Sequence, residues 1–329
     1  MTAMTKTLWA AIVCACVSTA QATVVIDTAS VGNPGNVADT RYVPSGRGAV
    51  AYTFDMGKFE ITAEQYTAFL MAVAGTDTYG LYNTFMSSEY GCGIQRGGQP
   101  GNYTYTVASD WAHRPVNYVS WGDAARFANW LYHGQPTGGQ NLGTTEDGSY
   151  YLNGATSNTA LLAVTRKANA TWVIPSEDEW YKAAYHQKDA ATERYWDYPT
   201  GTNDHPGNAL LDPDPGNNAN FHLNGDYTIG GPYWRTEVGD FEKSASPYGT
   251  FDQGGNVYEW NETLWYPSYR GARGGAYADE GDGTLRAQYS NFGAPTLEVY
   301  SFGFRVAAVP EPASLTMLAL GLLAMFRRR

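Results

Sequence analysis

Charged residues are scarce in this chain: Asp, Glu, Lys and Arg make up 16% of its 329 residues, against about 25% in an ordinary globular protein. Aromatic residues reach 14%, which excludes a disordered chain, because disorder requires few aromatics and a high charge density. The formal net charge is −11, whereas nucleic acid is bound by clustered basic residues. We therefore expect a globular protein with no nucleic-acid partner.

Long apolar runs are also missing, and the two short ones lie at the ends of the chain. Lys6 is followed by an uncharged stretch from Leu8 to Val17 and by Ala20-Gln21-Ala22, the order of a secretory signal peptide with its cleavage site. The alternative is a transmembrane anchor, but the stretch is far shorter than the roughly 20 residues that a spanning helix needs. We predict a signal peptide over residues 1–22 and export of the chain.

The C-terminal end combines Pro310-Glu311-Pro312, an apolar run from Ala313 to Phe326, and Arg327-Arg328-Arg329. A tail anchor is one interpretation, since the arginines would stay on the cytoplasmic side. The three parts in this order resemble the PEP-CTERM sorting signal of Gram-negative bacteria, over residues 309–329. The resemblance implies a short transmembrane helix that associates with the membrane transiently. An exosortase-type protease then removes the tail, and the protein stays in the cell envelope, on the outer surface or outside the cell.

Removal of both ends leaves residues 23–309 as the mature chain and changes its charge and its cysteine count. The chain has 21 basic and 32 acidic residues. Four basic residues and one acidic residue lie in the two ends, so the mature net charge is 17 − 31 = −14. Cys14 and Cys16 are lost, which leaves Cys92 alone and excludes an intramolecular disulfide. We expect Cys92 to be a buried residue and not a reactive thiol.

The mature chain divides into an extended lead-in over residues 23–49 and one domain over residues 50–308. Two capping boxes, Thr62 with Gln65 and Ser176 with Glu179, each precede apolar residues at helical spacing. In a capping box the side chains of the first and fourth residues bond each other's backbone N–H groups and start a helix. The sequence therefore predicts helices after Thr62 and after Ser176.

A further helix is predicted from Ser120 or Trp121 to Tyr132, where apolar residues recur on one face. After His186 turn residues dominate, and no helix is predicted for more than a hundred residues. No fixed-period repeat and no linker between two cores is evident. The sequence therefore predicts a single compact α+β domain with low regular secondary structure.

Six short motifs follow one another along this domain: Gly57–Thr62, Pro115–Trp121, Ile174–Trp180, Gly255–Trp260, Arg273–Tyr277 and Gly303–Val306. In this order they resemble the formylglycine-generating-enzyme family, also called the sulfatase-modifying-factor domain family, over roughly residues 50–307. The resemblance implies a C-type-lectin-like fold with little regular structure, which agrees with the interpretation of the residues themselves.

Active members of that family oxidise a sulfatase cysteine to formylglycine, using copper that two cysteine thiolates hold. The resemblance places these two positions at Asp279 and Thr284. Cu(I) is a soft ion that prefers thiolate or thioether ligands, and a carboxylate and a hydroxyl are poor substitutes. We therefore expect no copper-dependent oxidation, and no catalytic residue is predicted.

The same family binds calcium, and the resemblance assigns one set of ligands to Asp252, Gly255, Val257 and Glu259. Calcium takes carboxylate and carbonyl oxygens from tight loops, and Gly254-Gly255 supplies such a bend. The alternative is an ordinary turn before a strand that carries a core Trp260. A second calcium set would use Asn220, the carbonyl of Phe221 and an acidic residue further along the chain, for which Asp226 is the prediction.

The segment between Asp279 and Pro295, named here the strip, replaces the family's catalytic segment. Arg286 and Tyr289 are the predicted ligand contacts within it. Exposed Tyr, Trp and Asn on a loop-rich scaffold suit recognition of a glycan or a protein. The leading hypothesis is a non-catalytic binding or structural protein with calcium in its loops. The alternative is an oxidoreductase or other enzyme that acts without the copper cysteines.

The remaining polar residues show no further site pattern. The five histidines are scattered without an H-x-H or H-E-x-x-H spacing, so no histidine metal site is predicted. Arg273 and Arg305 lie in family motifs, and we expect both to brace loops through bidentate hydrogen bonds.

Overall fold

The computed structural model describes residues 23–42, 46–188 and 194–310. The predicted signal peptide and the apolar run of the sorting signal lie outside these residues. Across the part of the chain that is described, no helix has both the length and the apolar character to cross a membrane.

Five α-helices occur in the described residues, and all lie before residue 190: α1 (Ala63–Val73), α2 (Ser109–Ala112), α3 (Trp121–Tyr132), α4 (Asn158–Leu162) and α5 (Glu177–Tyr185). Both predicted capping boxes are present, since Thr62 and Ser176 accept from the backbone N–H groups of Gln65 and Glu179. Ser120 caps α3 in the same manner. The three predicted helices are thus confirmed, whereas the short α2 and α4 were not predicted.

Twelve short strands make up the β structure of the described residues: β1 (Thr28–Val31), β2 (Phe54–Gly57), β3 (Gln95–Gly97), β4 (Thr104–Thr106), β5 (Trp172–Val173), β6 (His222–Leu223), β7 (Asp226–Tyr227), β8 (Tyr258–Trp265), β9 (Tyr269–Arg273), β10 (Asn291–Gly293), β11 (Phe302–Gly303) and β12 (Ala307–Ala308). One sheet has the order β1-β2-β12-β5 and the other β10-β9-β8-β11, and two hairpins pair β3 with β4 and β6 with β7. The prediction of one α+β domain with little regular structure is confirmed.

The lead-in and the C-terminal end of the domain meet in the first sheet. β1 pairs antiparallel with β2, with Thr28 opposite Gly57, and β12 pairs antiparallel with both β2 and β5. The lead-in is therefore extended, as predicted, and it also contributes a strand to the sheet. The first and the last strands of the described chain, β1 and β12, therefore both lie in this sheet and both pair with β2.

The main hydrophobic core lies between α1, α3 and the C-terminal motif. Its aromatic centre consists of Tyr66, Phe69, Phe127, Trp130 and Phe304, which are at most 1% exposed. Neighbouring rings in this group contact each other at centroid distances of 5.2–6.4 Å. Such aromatic pairs add about 0.5–1.5 kcal/mol beyond the burial of their area.

The second half of the domain is held by buried arginines. The guanidinium of Arg273 donates to the carboxylate of Glu177 and to the carbonyls of Ala287 and Tyr289. The guanidinium of Arg305 donates to the carbonyls of Gly57, Lys58 and Phe251. Each of these bonds ties one segment of irregular backbone to another, so both arginines brace loops, as expected from the sequence.

Candidate functional site

The two predicted calcium sets lie side by side where the loop before β8 contacts the segment around Asn220. Asn220 and Gly255 form a parallel bridge, and the N–H of Asn256 donates to the carbonyl of Asn220 at 2.9 Å. Gly255 has a φ of +89°, and a Cβ built there would lie 2.2 Å from the Asn220 carbonyl oxygen. The glycine is therefore required for this close approach.

Glu259, in the first calcium set, is the anion of a buried ion pair. Its carboxylate accepts from Nε and Nη2 of Arg305 at 2.5 and 2.6 Å and from Nε1 of Trp180 at 2.6 Å. Both partners of the ion pair are 0% exposed. A calcium ion at this carboxylate would have to displace Arg305, so Glu259 does not fit the role of a calcium ligand in this arrangement. Calcium binding by the whole set stays a prediction.

Asp252, the other carboxylate of that set, belongs to a buried acidic group that the sequence did not indicate. Its Oδ2 accepts from the N–H of Gly239 at 2.6 Å, and burial raises the pKa of Asp252 to about 7. Neither carboxylate oxygen of Glu60 has a partner among the described residues. Burial first, and then Asp252 and Glu259, raise the pKa of Glu60 well above its ordinary range. Three carboxyl groups therefore share the single guanidinium of Arg305.

The second calcium set offers a freer oxygen donor. Asn220 donates through Nδ2 to the carbonyl of Trp234 at 3.0 Å and to Oδ1 of Asn256 at 2.7 Å. Its own Oδ1 is buried and has no partner within the described residues. An unpartnered amide oxygen is a donor of the kind that calcium takes, so Asn220 fits the metal better than Glu259 does.

The other two members of the second set are tied together by Asn208. Its Nδ2 donates to the carbonyl of Phe221 at 3.2 Å and to the carbonyl of Asp226 at 2.9 Å. Asp226 begins β7 and is exposed. The structure therefore places Asn220, Phe221 and Asp226 in one loop and hairpin, in which Asn208 joins the carbonyls of Phe221 and Asp226.

Asp279 and Thr284 present no soft ligand. Oδ2 of Asp279 accepts from the N–H of Ala276 at 2.9 Å, and Oγ1 of Thr284 is buried with no partner among the described residues. Cys92 is 0% exposed, and its burial raises the pKa of the thiol. A carboxylate, a hydroxyl and a protonated buried thiol do not fit Cu(I), because the ion requires thiolate ligands.

The strip brings Arg286 and Tyr289 into one turn but gives them different neighbours. The N–H of Tyr289 donates to the carbonyl of Arg286 at 2.9 Å. The ring of Tyr289 is 37% exposed and lies 6.5 Å from that of Tyr258. The guanidinium of Arg286 lies 5.4 Å from the ring centre of Tyr198. A ligand at the strip could therefore contact a cation and an exposed aromatic ring that belong to the same turn of the chain.

Near Arg286 lies a cluster of three side chains, Tyr198, His205 and Asp282, that the sequence did not indicate. The hydroxyl of Tyr198 donates to Oδ2 of Asp282 at 2.5 Å, and Nδ1 of His205 pairs with the same oxygen. Burial first, then Asp282, raise the pKa of Tyr198. His205 and Asp282 are 77 positions apart, so no local spacing could have revealed them. An imidazole held by a carboxylate is able to accept and release protons.

Together, the loops and the buried arginines define an α+β domain in which irregular backbone is fixed by hydrogen bonds from inside the molecule. The sulfatase-modifying factor enzyme 1-like domain model matches residues 11–309, and the PEP-CTERM protein-sorting motif matches residues 308–329. The chain therefore belongs to the sulfatase-modifying factor enzyme 1-like domain family and ends in an exosortase sorting motif. Both resemblances are confirmed, and the motif indicates export to the cell envelope.

Two solved structures are similar in fold. CarF aligns with a TM-score of 0.56 and 19% identity, covering 87% of this chain and 99% of CarF. The Treponema denticola variable protein 1 aligns with a TM-score of 0.51 and 19% identity, covering 86% of this chain and 95% of that protein. At such identity the likeness shows the fold alone. No curated protein sequence matches the chain significantly.

Proposed function

We propose that the mature protein is an exported binding or structural component of the cell envelope, outer surface or extracellular matrix, and that its domain performs no copper-dependent oxidation. The observation that carries this proposal is the donor set at Asp279 and Thr284, where a carboxylate bonded to backbone and a buried hydroxyl replace two thiolates. Such donors cannot bind Cu(I) as thiolates do.

The strip is the proposed ligand-binding segment. Tyr289 is exposed, and the guanidinium of Arg286 stacks on Tyr198 next to Asp282. An exposed ring and a cation beside a carboxylate provide stacking and hydrogen bonding for a glycan or protein ligand. Before that role, an exosortase-type protease is the processing partner, and the C-terminal helix associates with the membrane until cleavage.

The test uses the mature protein with a panel of glycans and envelope proteins, read by thermal shift and by binding at equilibrium. A ligand of the native state must raise its stability. We expect at least one ligand whose binding is weakened by Arg286→Ala and by Tyr289→Ala. That ligand should be chemically unchanged after incubation with the protein. Lys58→Ala, on another loop, is the control. A ligand whose binding ignores both strip variants contradicts the role of the strip, and turnover contradicts the non-catalytic proposal.

Calcium is proposed as a structural ion at Asn220, Phe221 and Asp226. The unpartnered Oδ1 of Asn220 supports this set over Glu259. The ion would join the loop at Asn220 to the hairpin of β6 and β7 through oxygen ligands. We expect a chelator to lower the melting temperature of the mature protein and added calcium to restore it. Asn220→Ala should remove this response, and an unchanged melting temperature in chelator contradicts the proposal.

The alternative function is an enzyme that acts without the copper cysteines, and one observation favours it. His205 and Tyr198 share Oδ2 of Asp282 at the edge of the strip, an arrangement in which an imidazole and a phenol could exchange protons. A substrate that is consumed by the mature protein, but not by the His205→Gln variant, would establish this alternative.

A further inference from the structure

Next to the strip, six rings from four segments of the chain form a continuous surface. Neighbouring rings lie 4.4–6.2 Å apart between centroids. This surface is named here the aromatic platform, and its members are Tyr90, His222, Tyr227, Trp234, Tyr277 and Tyr300. The N–H of His222 donates to the carbonyl of Asp279 at 3.1 Å, which places the platform directly against the start of the strip.

Three tyrosines of the platform face solvent. Tyr90, Tyr227 and Tyr300 are 43%, 42% and 43% exposed, although each contacts another ring of the group. The main core uses its aromatic rings differently, since those rings are at most 1% exposed. Contiguous exposed aromatic area costs free energy in water and commonly marks a binding surface.

The backbone beneath the exposed tyrosines is fixed by buried side chains. Nδ2 of Asn117 donates to the carbonyls of both Tyr90 and Tyr300, at 2.8 and 2.7 Å. Nη1 of the fully buried Arg235 donates to the carbonyl of Tyr90 at 3.2 Å. The backbone that carries the rings of Tyr90 and Tyr300 is therefore held in place before any ligand arrives, which lowers the entropy cost of binding.

Trp234 lies at the centre of the platform in a strained conformation. Its φ is +60°, a left-handed value that is unfavourable for a bulky residue. Nδ2 of Asn220 donates to its carbonyl at 3.0 Å, and its ring contacts those of Tyr90, Tyr227 and Tyr277. Strain of about 1–3 kcal/mol persists only where the surroundings enforce it, and it concentrates at functional sites.

Buried polar atoms without a partner concentrate at the platform. Thirteen such side-chain atoms occur within the described residues. Six of the thirteen belong to the platform or to residues bonded to it, namely Asn117 Oδ1, Asn220 Oδ1, Trp234 Nε1, Arg235 Nε, Asn256 Nδ2 and Tyr277 Oη. Each unsatisfied buried group costs about 1–3 kcal/mol, so this region of the molecule has unused hydrogen-bonding capacity beneath its exposed rings.

The rim of the platform is acidic. Glu280 is exposed and its carboxylate pairs with His222, and Asp226 is exposed next to Tyr227. The mature chain carries a net charge of −14 by the count above, 17 − 31. Acidic polymers and anionic lipid surfaces are repelled by such a surface. A neutral ligand that brings hydroxyl donors to the carboxylates is complementary to it.

We propose that the aromatic platform binds a neutral polysaccharide. The flat C–H faces of its sugar rings stack on Tyr90, Tyr227 and Tyr300, and its hydroxyl groups donate to the exposed carboxylate of Glu280. A neutral sugar chain combines apolar ring faces with many uncharged hydroxyl donors, and both features match the exposed rings and the carboxylates of the platform. This inference rests on the proposed binding function, gives it a ligand class, and extends the binding surface from the strip to the adjoining platform.

The test is affinity gel electrophoresis of the mature protein through gels that contain a neutral polysaccharide (dextran, a β-glucan or a galactomannan) or an acidic one (alginate or hyaluronate). We expect retardation in at least one neutral gel, unaffected by raised salt, and none in the acidic gels. The double variant Tyr90→Ala/Tyr300→Ala, and Tyr227→Ala separately, should weaken binding by about tenfold or more, as loss of a stacking anchor does. The matched control is Tyr151→Ala, at a tyrosine that is 55% exposed and outside the platform.

Circular dichroism and the melting temperature must show that each variant is folded. All the substituted tyrosines are exposed, so their replacement should disturb the core little. The proposal is overturned by no retardation in any neutral gel, by preference for an acidic polysaccharide, or by an equal loss in Tyr151→Ala. Retardation that is lost in Arg286→Ala and Tyr289→Ala but kept in the platform variants overturns it while supporting the proposed function. Catalytic turnover of a thiol substrate contradicts the proposed function and leaves the gel result valid.

Discussion

Residues 54–132 and residues 194–306, named here the helical region and the loop region, are held together by different kinds of contact. In the helical region, α1 and α3 bring Phe69, Phe127 and Trp130 into a dry aromatic centre. In the loop region, buried guanidiniums such as those of Arg273 and Arg305 bond to carbonyls of separate segments. A guanidinium has five fixed donors, so one arginine can fix several loops that have no ladder of their own.

The difference explains where the candidate sites lie. The backbone N–H and C=O groups of a helix hydrogen-bond mainly to each other. The helical region therefore acts mainly as a scaffold. The loop region leaves side chains free to face solvent, and it contains the strip, the second calcium set and five of the six platform residues. Function on loops that a rigid scaffold holds is the common arrangement in proteins.

Loss of a buried arginine should have the largest effect on stability. Arg305→Met leaves Glu259 buried without its cation, and removal of one partner of a buried ion pair costs about 3–5 kcal/mol. Both side chains are 0% exposed. Urea unfolding followed by tryptophan fluorescence should show this decrease in the free energy of unfolding.

The matched control for that change is Lys167→Met, which breaks the pair of Lys167 with Asp147 at 2.7 Å. Both of its side chains are about one-third exposed, 35% and 34%. Exposed pairs contribute about 0–1 kcal/mol. Equal losses in the two variants would show that the loop region does not depend on its buried arginines.

The helical region should respond to loss of apolar volume. Leu70 in α1 is 0% exposed, and Leu70→Ala should lower the free energy of unfolding by about 2–5 kcal/mol through lost burial and a cavity. Leu142, which is 52% exposed, provides the same substitution at the surface, where about 0.5 kcal/mol or less is expected. A similar effect at both leucines would contradict the packing account of this region.

A pH effect should arise where α5 meets the loop region. His186 is 1% exposed, and its Nδ1 hydrogen-bonds the hydroxyl of Tyr248 at 2.8 Å. Burial, and then the positive charge of Lys182, lowers the pKa of His186 from its usual value of 6.5 to about 4. The unfolded chain therefore binds a proton more readily between pH 6.5 and 4, so stability present above pH 6.5 is lost as the pH falls.

His186→Asn keeps a polar atom near Tyr248 and removes this titration. We expect the wild-type protein to lose about 2 kcal/mol more than the variant between pH 7 and pH 4, measured by urea unfolding at each pH. His133, which is exposed, provides the control His133→Asn. If the free energy of unfolding changes with pH in the same way in the wild-type protein and in the His186→Asn variant, His186 is not the group responsible for the pH effect.

The sequence predicted the helical region better than the loop region, for physical reasons. The capping boxes at Thr62 and Ser176 are local signals, because capping joins residues three positions apart. The roles of Arg273 and Arg305 were also predictable from their motifs. Strands of two or three residues, such as β6 and β7, carry no periodicity that can be recognised.

The missed site residues depend on contacts between distant parts of the chain. Asp282 pairs with His205, which is 77 positions away in the sequence. Asn117 donates to the carbonyl of Tyr300, which is 183 positions away. Glu60 sits in a recognised motif, yet only the fold places it beside Asp252. Glu259 shows the opposite case, because its motif predicted a metal ligand and its neighbours make it the partner of Arg305.

The most direct test of the central claim is an aerobic assay of the mature protein with Cu(I) and a cysteine-containing peptide, following oxygen uptake and the mass of the peptide. We expect no uptake above that of copper and peptide alone and an unchanged peptide, because Asp279 and Thr284 supply no thiolate. The double variant Asp279→Cys/Thr284→Cys tests whether the same positions bind Cu(I) once thiols are present. Copper-dependent oxidation of the peptide by the unsubstituted protein would contradict the account.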